Sequence, residues 1–286
     1  MADFRPIYNS VSFCIKALHF IQSRLDKQYR KKQTKKYNLS FEGKTFFEHT
    51  IDNTLKIRLY KDSVLSKIIY DSFEEEELVF VKNTLKNGDI FIDLGANIGL
   101  FSLIASKCVG PSGKVIAFEP APIIYKRFVD NVQLNNIQNI DNRNIGLSNE
   151  KGELTFYVSE NGYDAWNSFA PSTGQKMQKE VPVLVSTLDY ELDLVEKSKI
   201  RLIKIDVEGW EKFVLWGGKQ FFNNYAPHVM VEFTDENTIN AGYYASDIYD
   251  IMVDWGYEWF VLKKGLLVKE SKKIHYPYNN LIAIKS

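Results

Sequence analysis

From about residue 88 the chain alternates short, nearly continuous apolar runs with segments whose apolar positions recur every three or four residues. DIFIDL, KVIAFEP, IDNRNIGL, RLIKIDV, HVMVEFT, YEWFVLK and NNLIAIKS predict strands. IGLFSLIASKCV, PIIYKRFVDNVQLNN, WEKFVLWGGKQFF and a segment near Ala245–Trp255 predict helices. Strands this apolar need cover on both faces, which points to an α/β fold with a mostly parallel sheet between helices. Upstream, Thr45 to Tyr60 alternates as a hairpin turning at DNT. DSFEEEELVFVKNTLKNGD then reads as a helix capped by Asp71 or Ser72, with acids in its first turn and a stop at Asn87-Gly88. The first forty residues differ: Ile7, Val11, Cys14 or Ile15, Leu18, Ile21 and Leu25 keep helical spacing, and the basic run RLDKQYRKKQTKK follows. The organisation expected is an amphipathic, basic helical extension at 1–40 and one main domain at 41–286. That domain divides into a hairpin and helix at 41–87, a core at 88–235 and C-terminal strands at 236–286.

Charge and composition narrow this little. Thirty-six basic residues balance thirty-six acidic ones, so only local clustering could mark a polyanionic partner, and DNA is not expected. Cys14 and Cys108 have neither framework nor metal-ligand spacing, and no run approaches the roughly 20 apolar residues of a spanning helix. A cytoplasmic protein is expected. For residues 5–36 two readings stay open: peripheral contact with an anionic membrane, or docking on the main domain or a partner.

Chemistry enters at FIDLGANIG, where Asp93 ends a strand and Gly95 and Gly99 open the turn to a helix. In open parallel sheets ligands sit beyond the carboxyl ends of the strands. The G-x-G-x-x-G spacing of a dinucleotide site is absent, and a carboxylate before the first glycine would repel a phosphate. Asp93 suits a cationic ligand group, an ammonium or a sulfonium, and S-adenosylmethionine carries both. Glu119, at the end of the next strand, can accept ribose hydroxyls, and Asn144, at the end of the third, can face the adenine edge.

GDIFIDLGANIGLFSLIAS, FEPAP with NVQLNN, and IKIDVEGWE before VLWGG resemble the FkbM family of class I S-adenosylmethionine-dependent methyltransferases, over roughly Phe73 to Thr234. The resemblance implies a Rossmann-like, seven-stranded sheet whose last strand is antiparallel, and O-methylation of a sugar, glycan or natural-product hydroxyl. Asp93, Gly95, Asn97, Gly99, Glu119, Asn144 and Asp206 would bind the cofactor, with Glu74 near its methionine end. The chain departs from the pattern at Trp210 and in its first forty residues.

A hydroxyl acceptor has a proton to lose. Lys204, Asp206 and Glu208 lie on one strand and its exit, and Glu232 lies near the end of the next. These acids could be a base with its orienting partners, or oxygen ligands for a magnesium-like cation. Among four histidines, His228 begins a strand at the far end of the sheet, His19 and His49 lie outside the core, and His275 is the reserve general base. SENGYDAWNSFAPSTGQKMQKE reads as a long polar loop in which Tyr163, Trp166, Asn167 and Ser168 suit a sugar ring, with KKIHYPYNN as the other wall of the acceptor cleft. Two rivals remain: an RNA ribose 2′-O-methyltransferase, which would need a second lysine that VMVEF lacks, and a non-catalytic binding protein of the same fold.

Overall fold

The computed structural model describes residues 27, 31–159, 162, 167–171 and 178–285. Residues 31–40 are helical, and Tyr37 and Phe41 bury their rings against Phe47 and Tyr70. Residues 1–26 and 28–30 of the extension considered above lie outside the described residues. The expected hairpin is β1 (Phe46–Ile51) and β2 (Leu55–Tyr60), antiparallel about a turn with Asp52 and Asn53 at positive φ. Next come α1 (Val64–Asp71), which sequence reading did not foresee, and α2 (Glu75–Thr84). Ser72 ends α1 instead of capping α2, and Glu74 takes that place in the left-handed region, at φ 46°.

The core runs β3 (Ile90–Leu94), α3 (Leu100–Val109), β4 (Lys114–Phe118), α4 (Pro122–Leu134) and β5 (Ile140–Arg143). A side sheet follows, of β6 (Gly146–Leu147), β7 (Gly152–Ser159) and β8 (Gln178–Ser186), then α5 (Leu188–Glu191). The chain returns through β9 (Ile200–Ile205), α6 (Glu211–Gly217), α7 (Lys219–Asn224), β10 (His228–Phe233), α8 (Asp235–Asn240) and α9 (Ala245–Asp254). It ends with β11 (Tyr257–Lys263), β12 (Leu266–Lys269) and β13 (Asn279–Lys285).

The main sheet has the order β12-β11-β13-β10-β9-β3-β4-β5. Strands β5, β4, β3, β9 and β10 are parallel, and β13 inserts antiparallel between β10 and β11. All seven expected strands are present. The eighth, β12, forms because Lys264 and Gly265 both take positive φ, the two-residue turn that returns a strand on itself. IDNRNIGL divides at Asn144, so that β6 leaves the main sheet, and much of the expected loop is the β7–β8 hairpin, with Phe156, Val183 and Val185 buried. WEKFVLWGGKQFF breaks at its two glycines, into α6 and α7.

Both faces of the sheet are covered. Phe91, Leu202, Met230 and Ile282 belong to one apolar cluster, and Ile92, Ile203, Val231 and Leu281 to the other. On the first face, one step toward the carboxyl ends of β3, β9 and β10 changes every side chain: Phe91 gives way to Asp93, Leu202 to Lys204 and Met230 to Glu232. On antiparallel β13 the same step leads from Ile282 to Asn280, which pairs with Glu232. Side-chain alternation thus draws a row of polar groups across the sheet just above an apolar floor. The row crosses β3 and β9, neighbours although β4 and β5 intervene in the chain, which is the switch point where this architecture opens a crevice.

Candidate functional site

A cavity of about 590 Å³ opens over that row. Its walls include Gly95, Asn97 and Glu119 from the ends of β3 and β4, Asp206 and Glu208 beyond β9, Glu232 on β10, Glu74 before α2, and Tyr278 and Asn280 at β13.

The β3 side is closely self-bonded. Glu119 accepts the N–H groups of Asn97 (2.9 Å) and Ala121 (2.8 Å), which fixes its carboxylate across the glycine turn. Asn97 sits at φ 48°, with its Oδ1 accepting the Ile98 N–H. Asn131 of α4 is fully buried; it donates to the Ile98 carbonyl (2.9 Å) and accepts the Arg58 N–H (2.8 Å), tying this turn to the edge of β2. The glycines serve the fold as much as any ligand. A Cβ on Gly95 (φ +80°) would stand 1.8 Å from the Asp206 carbonyl oxygen, and one on Gly99 (φ +92°) 2.2 Å from the Phe128 ring.

Asp93 is not where the sequence suggested. It is 0% exposed and lies outside the cavity wall, with Oδ2 accepting the Ser102 hydroxyl at 2.6 Å. It shares a face with Lys204, but the first turn of α3 covers it through Ser102. Its other oxygen has no partner among the described residues, and burial raises its pKa against the pull of Lys204. Asn144 is also placed differently: it donates to the carbonyls of Glu119 (2.8 Å) and Pro120 (3.1 Å) and does not line the cavity, whose wall there is Ile145, Gly146 and Leu147.

The β9–β10 side is electrostatically loaded. Lys204 is 5% exposed, donates to Asp206 Oδ2 at 2.6 Å and lies over the Phe101 ring. Burial opposes its charge, but Asp206, Asp93 and Glu74 outweigh it and hold the ammonium's pKa above its ordinary value. Glu208 sits at φ 54° and accepts from Asn237 Nδ2 at 2.7 Å, while its carbonyl accepts the Ser168 hydroxyl at 2.6 Å. Glu232, 8% exposed, makes no hydrogen bond or ion pair among the described residues. Burial pushes the pKa of both Glu208 and Glu232 well up; Glu232 and Asp206 add to the rise at Glu208, and Asp206 and Glu211 to that at Glu232. Glu74 accepts from Tyr278 (2.8 Å) and Asn280 (3.1 Å), and burial moves its pKa up to about 7. Asp206, Glu208 and Glu232 each offer an oxygen, all within 4.8 Å of one another.

A family model, the Methyltransferase FkbM domain, matches residues 93–259, more than half of the chain. The chain belongs to the methyltransferase FkbM family. Its relatives include Methyltransferase 1 of Beauveria bassiana (strain ARSEF 2860), 31% identical over 50% of this chain and 64% of that protein. Methyltransferase sdnD of Sordaria araneosa is 28% identical over 58% of this chain and 74% of that one. The match thus spans less than two thirds of the Beauveria protein's length. Among solved structures it is similar to methyltransferase FkbM from Methylobacillus flagellatus KT, at 14% identity and a TM-score of 0.43 over 77% of this chain and 54% of that one.

In this FkbM-family chain the remaining candidates separate. His275 does not line the cavity: its side chain is 71% exposed, and Nδ1 pairs with Asp235 at 2.6 Å. The connection from β12 leaves it beyond α8, while Tyr278, three residues on, enters the wall. Tyr163 and Trp166 lie outside the described residues. Asn167 lines the cavity and accepts the Ser159 N–H at 2.9 Å; Ser168 stands behind the wall, bridged to Tyr157 and bonded to Glu208.

Sequence reading missed Glu211. Its fully buried carboxylate accepts the N–H groups of Val207 (3.1 Å) and Gly209 (3.2 Å) and the Tyr243 hydroxyl (3.2 Å), bracing the turn that holds Glu208. Burial lifts its pKa to about 7. An acid at the start of a helix is a visible signal, but one that helix-dipole preference alone accounts for.

Proposed function

We propose that the protein is an S-adenosylmethionine-dependent O-methyltransferase acting on a hydroxyl of a sugar, glycan or natural-product acceptor. The observation that carries this reading is Glu232, a carboxylate at the cavity floor that is buried yet without a partner among the described residues. Its carboxylate lines the cavity with no donor from the described residues on it, so the position fits a donor brought by a ligand, and a hydroxyl is one.

The residues also fit the donor. Glu74 Oε2 is buried without a partner among the described residues, in a wall where an ammonium or sulfonium would be welcome. Glu119, although held by two N–H groups, keeps lone pairs that can accept ribose hydroxyls. When bound, S-adenosylmethionine supplies a methyl group on a positively charged sulfur. The chain's own residues hold the two partners in one cavity, where near-attack placement can contribute about 7–11 kcal/mol at best. Glu232, Glu208 and Asp206 receive the acceptor hydroxyl and draw on its proton.

The ribose-methylating alternative finds Lys204 paired with Asp206 but still lacks the second lysine, since VMVEF offers only Glu232. Two measurements test the reading. Calorimetric titration with S-adenosylhomocysteine is expected to show one site per chain, and labelled S-adenosylmethionine is expected to label oxygen in a panel of glycans and natural-product alcohols. Label on nitrogen or on RNA alone, or no nucleoside binding, would overturn it.

A further inference from the structure

We propose that Asp206, Glu208 and Glu232 form a binding site for one hard divalent cation, magnesium, manganese or calcium, in the cavity floor. The proposal deepens the reading above, since a cation there would stand beside the acceptor hydroxyl, but its site rests on the side chains alone.

Three acidic residues together are ordinary; the state of their oxygens is not. Glu232 is more than nine-tenths buried, lines the cavity and meets no donor among the described residues, although Asn280 pairs with it across the strands. That asparagine's amide goes instead to Glu74 (3.1 Å) and Glu77 (3.3 Å). The other two carboxylates are each gripped from behind. Asp206 receives Lys204 through Oδ2, and Glu208 receives Asn237 through Oε2. Such outer contacts orient a ligand's remaining oxygen. The backbone of Glu208 is held in the left-handed region, which costs of order 1–3 kcal/mol for a non-glycine residue and aims its side chain into the cavity wall.

The donor set is all oxygen, which selects hard cations over zinc or copper. The spacing agrees. Two oxygens on opposite sides of calcium stand about 4.8 Å apart and on opposite sides of magnesium about 4.2 Å, from their usual bond lengths. The three carboxylates present their oxygens within 4.8 Å. Three side chains leave coordination positions for water or for an acceptor oxygen, and an oxygen bound to a divalent cation gives up its proton more readily.

The test titrates the chelator-stripped full chain, without donor or acceptor, with manganese followed by the paramagnetic signal of the free ion, and with magnesium and calcium as competitors. One manganese per chain is expected, displaced by at least one of the two, with affinity lowered tenfold or more in Glu232→Gln and in Glu208→Gln, each checked for folding by circular dichroism. Either folded variant suffices if the other fails to fold. Absence of stoichiometric binding overturns the proposal, as does binding unchanged in a folded variant. Unbound manganese together with weaker S-adenosylhomocysteine binding in the same variants would assign the carboxylates to the donor's cationic group and overturn it too. Failure to find an acceptor leaves this titration untouched, so the two readings fail separately.

Discussion

The two halves of the cavity are built on opposite principles. On the β3–β4 half, Glu119 is held in place by backbone N–H groups, and Asp93, one of its oxygens unmet among the described residues, is covered by Ser102 and kept out of the cavity wall. On the β9–β10 half, Glu232 and one oxygen of Glu74 have no partner among the described residues, and Glu208 and Glu232 crowd Asp206. The first half is a finished shape, the second an unfinished charge distribution. A rigid shape suits a ligand that is the same at every turnover. Unmet charge suits the place where a proton or a cation must be accommodated while the reaction runs.

The sharpest way to break this contrast is at the contact between the halves. Gly95→Ala forces a Cβ into the Asp206 carbonyl at a positive φ, and a loss of about 3 kcal/mol or more is expected in denaturant unfolding, with donor binding lost alongside. Glu232→Gln acts on the unfinished half alone. Methyl transfer is expected to fall by about 100-fold or more while S-adenosylhomocysteine affinity stays within about twofold, read by single-turnover kinetics and calorimetry. An equal loss of donor affinity would erase the distinction.

Glu211→Gln sharpens the picture through pH. The Glu211 carboxyl has its pKa lifted from 4.5 to about 7, so the folded state holds the proton more tightly than the unfolded one. Its contribution to stability is full below pH 4.5 and declines as pH rises through 7. The glutamine, which can still accept both N–H groups, is expected to flatten that decline by about 1–2 kcal/mol between pH 5 and 8 in denaturant titrations. The smallest effect is expected at Asn144→Ala. If its amide only closes the turn after β4, stability falls by about 1 kcal/mol and donor affinity changes less than threefold. A tenfold loss would return Asn144 to the donor's binding surface.

The order of strands, the glycine turn and the acids at the strand ends were legible because they depend on local periodicity and on which residue types tolerate a tight turn. The covering of Asp93 was not. Asp93 shares a face with Lys204, and α3 settling over it through Ser102 is what withdraws it, which no single segment records. The glycines have a second task that the sequence did not show: Gly95 lines the cavity, and the missing Cβ atoms also admit the Asp206 carbonyl and the Phe128 ring. His275 was misjudged because three residues suffice, in an irregular connection, to separate a surface ion pair from the cavity wall. Asn280 and Tyr278 belong to the segment suspected of facing the acceptor, but their role was invisible until β13 was inserted beside β10.

The approach of Gly95 to Asp206, reinforced by the Asp206 N–H to Leu94 carbonyl bond at 3.0 Å, fastens one turn to the other by main chain alone. Side-chain replacement in either turn therefore cannot loosen the seam, and no repacking elsewhere can make room for a methyl at position 95. Redesign of acceptor preference in this protein has to proceed from the outer walls, by way of Asn167, Tyr278 and Asn237, leaving the seam as the fixed datum from which both ligands are measured.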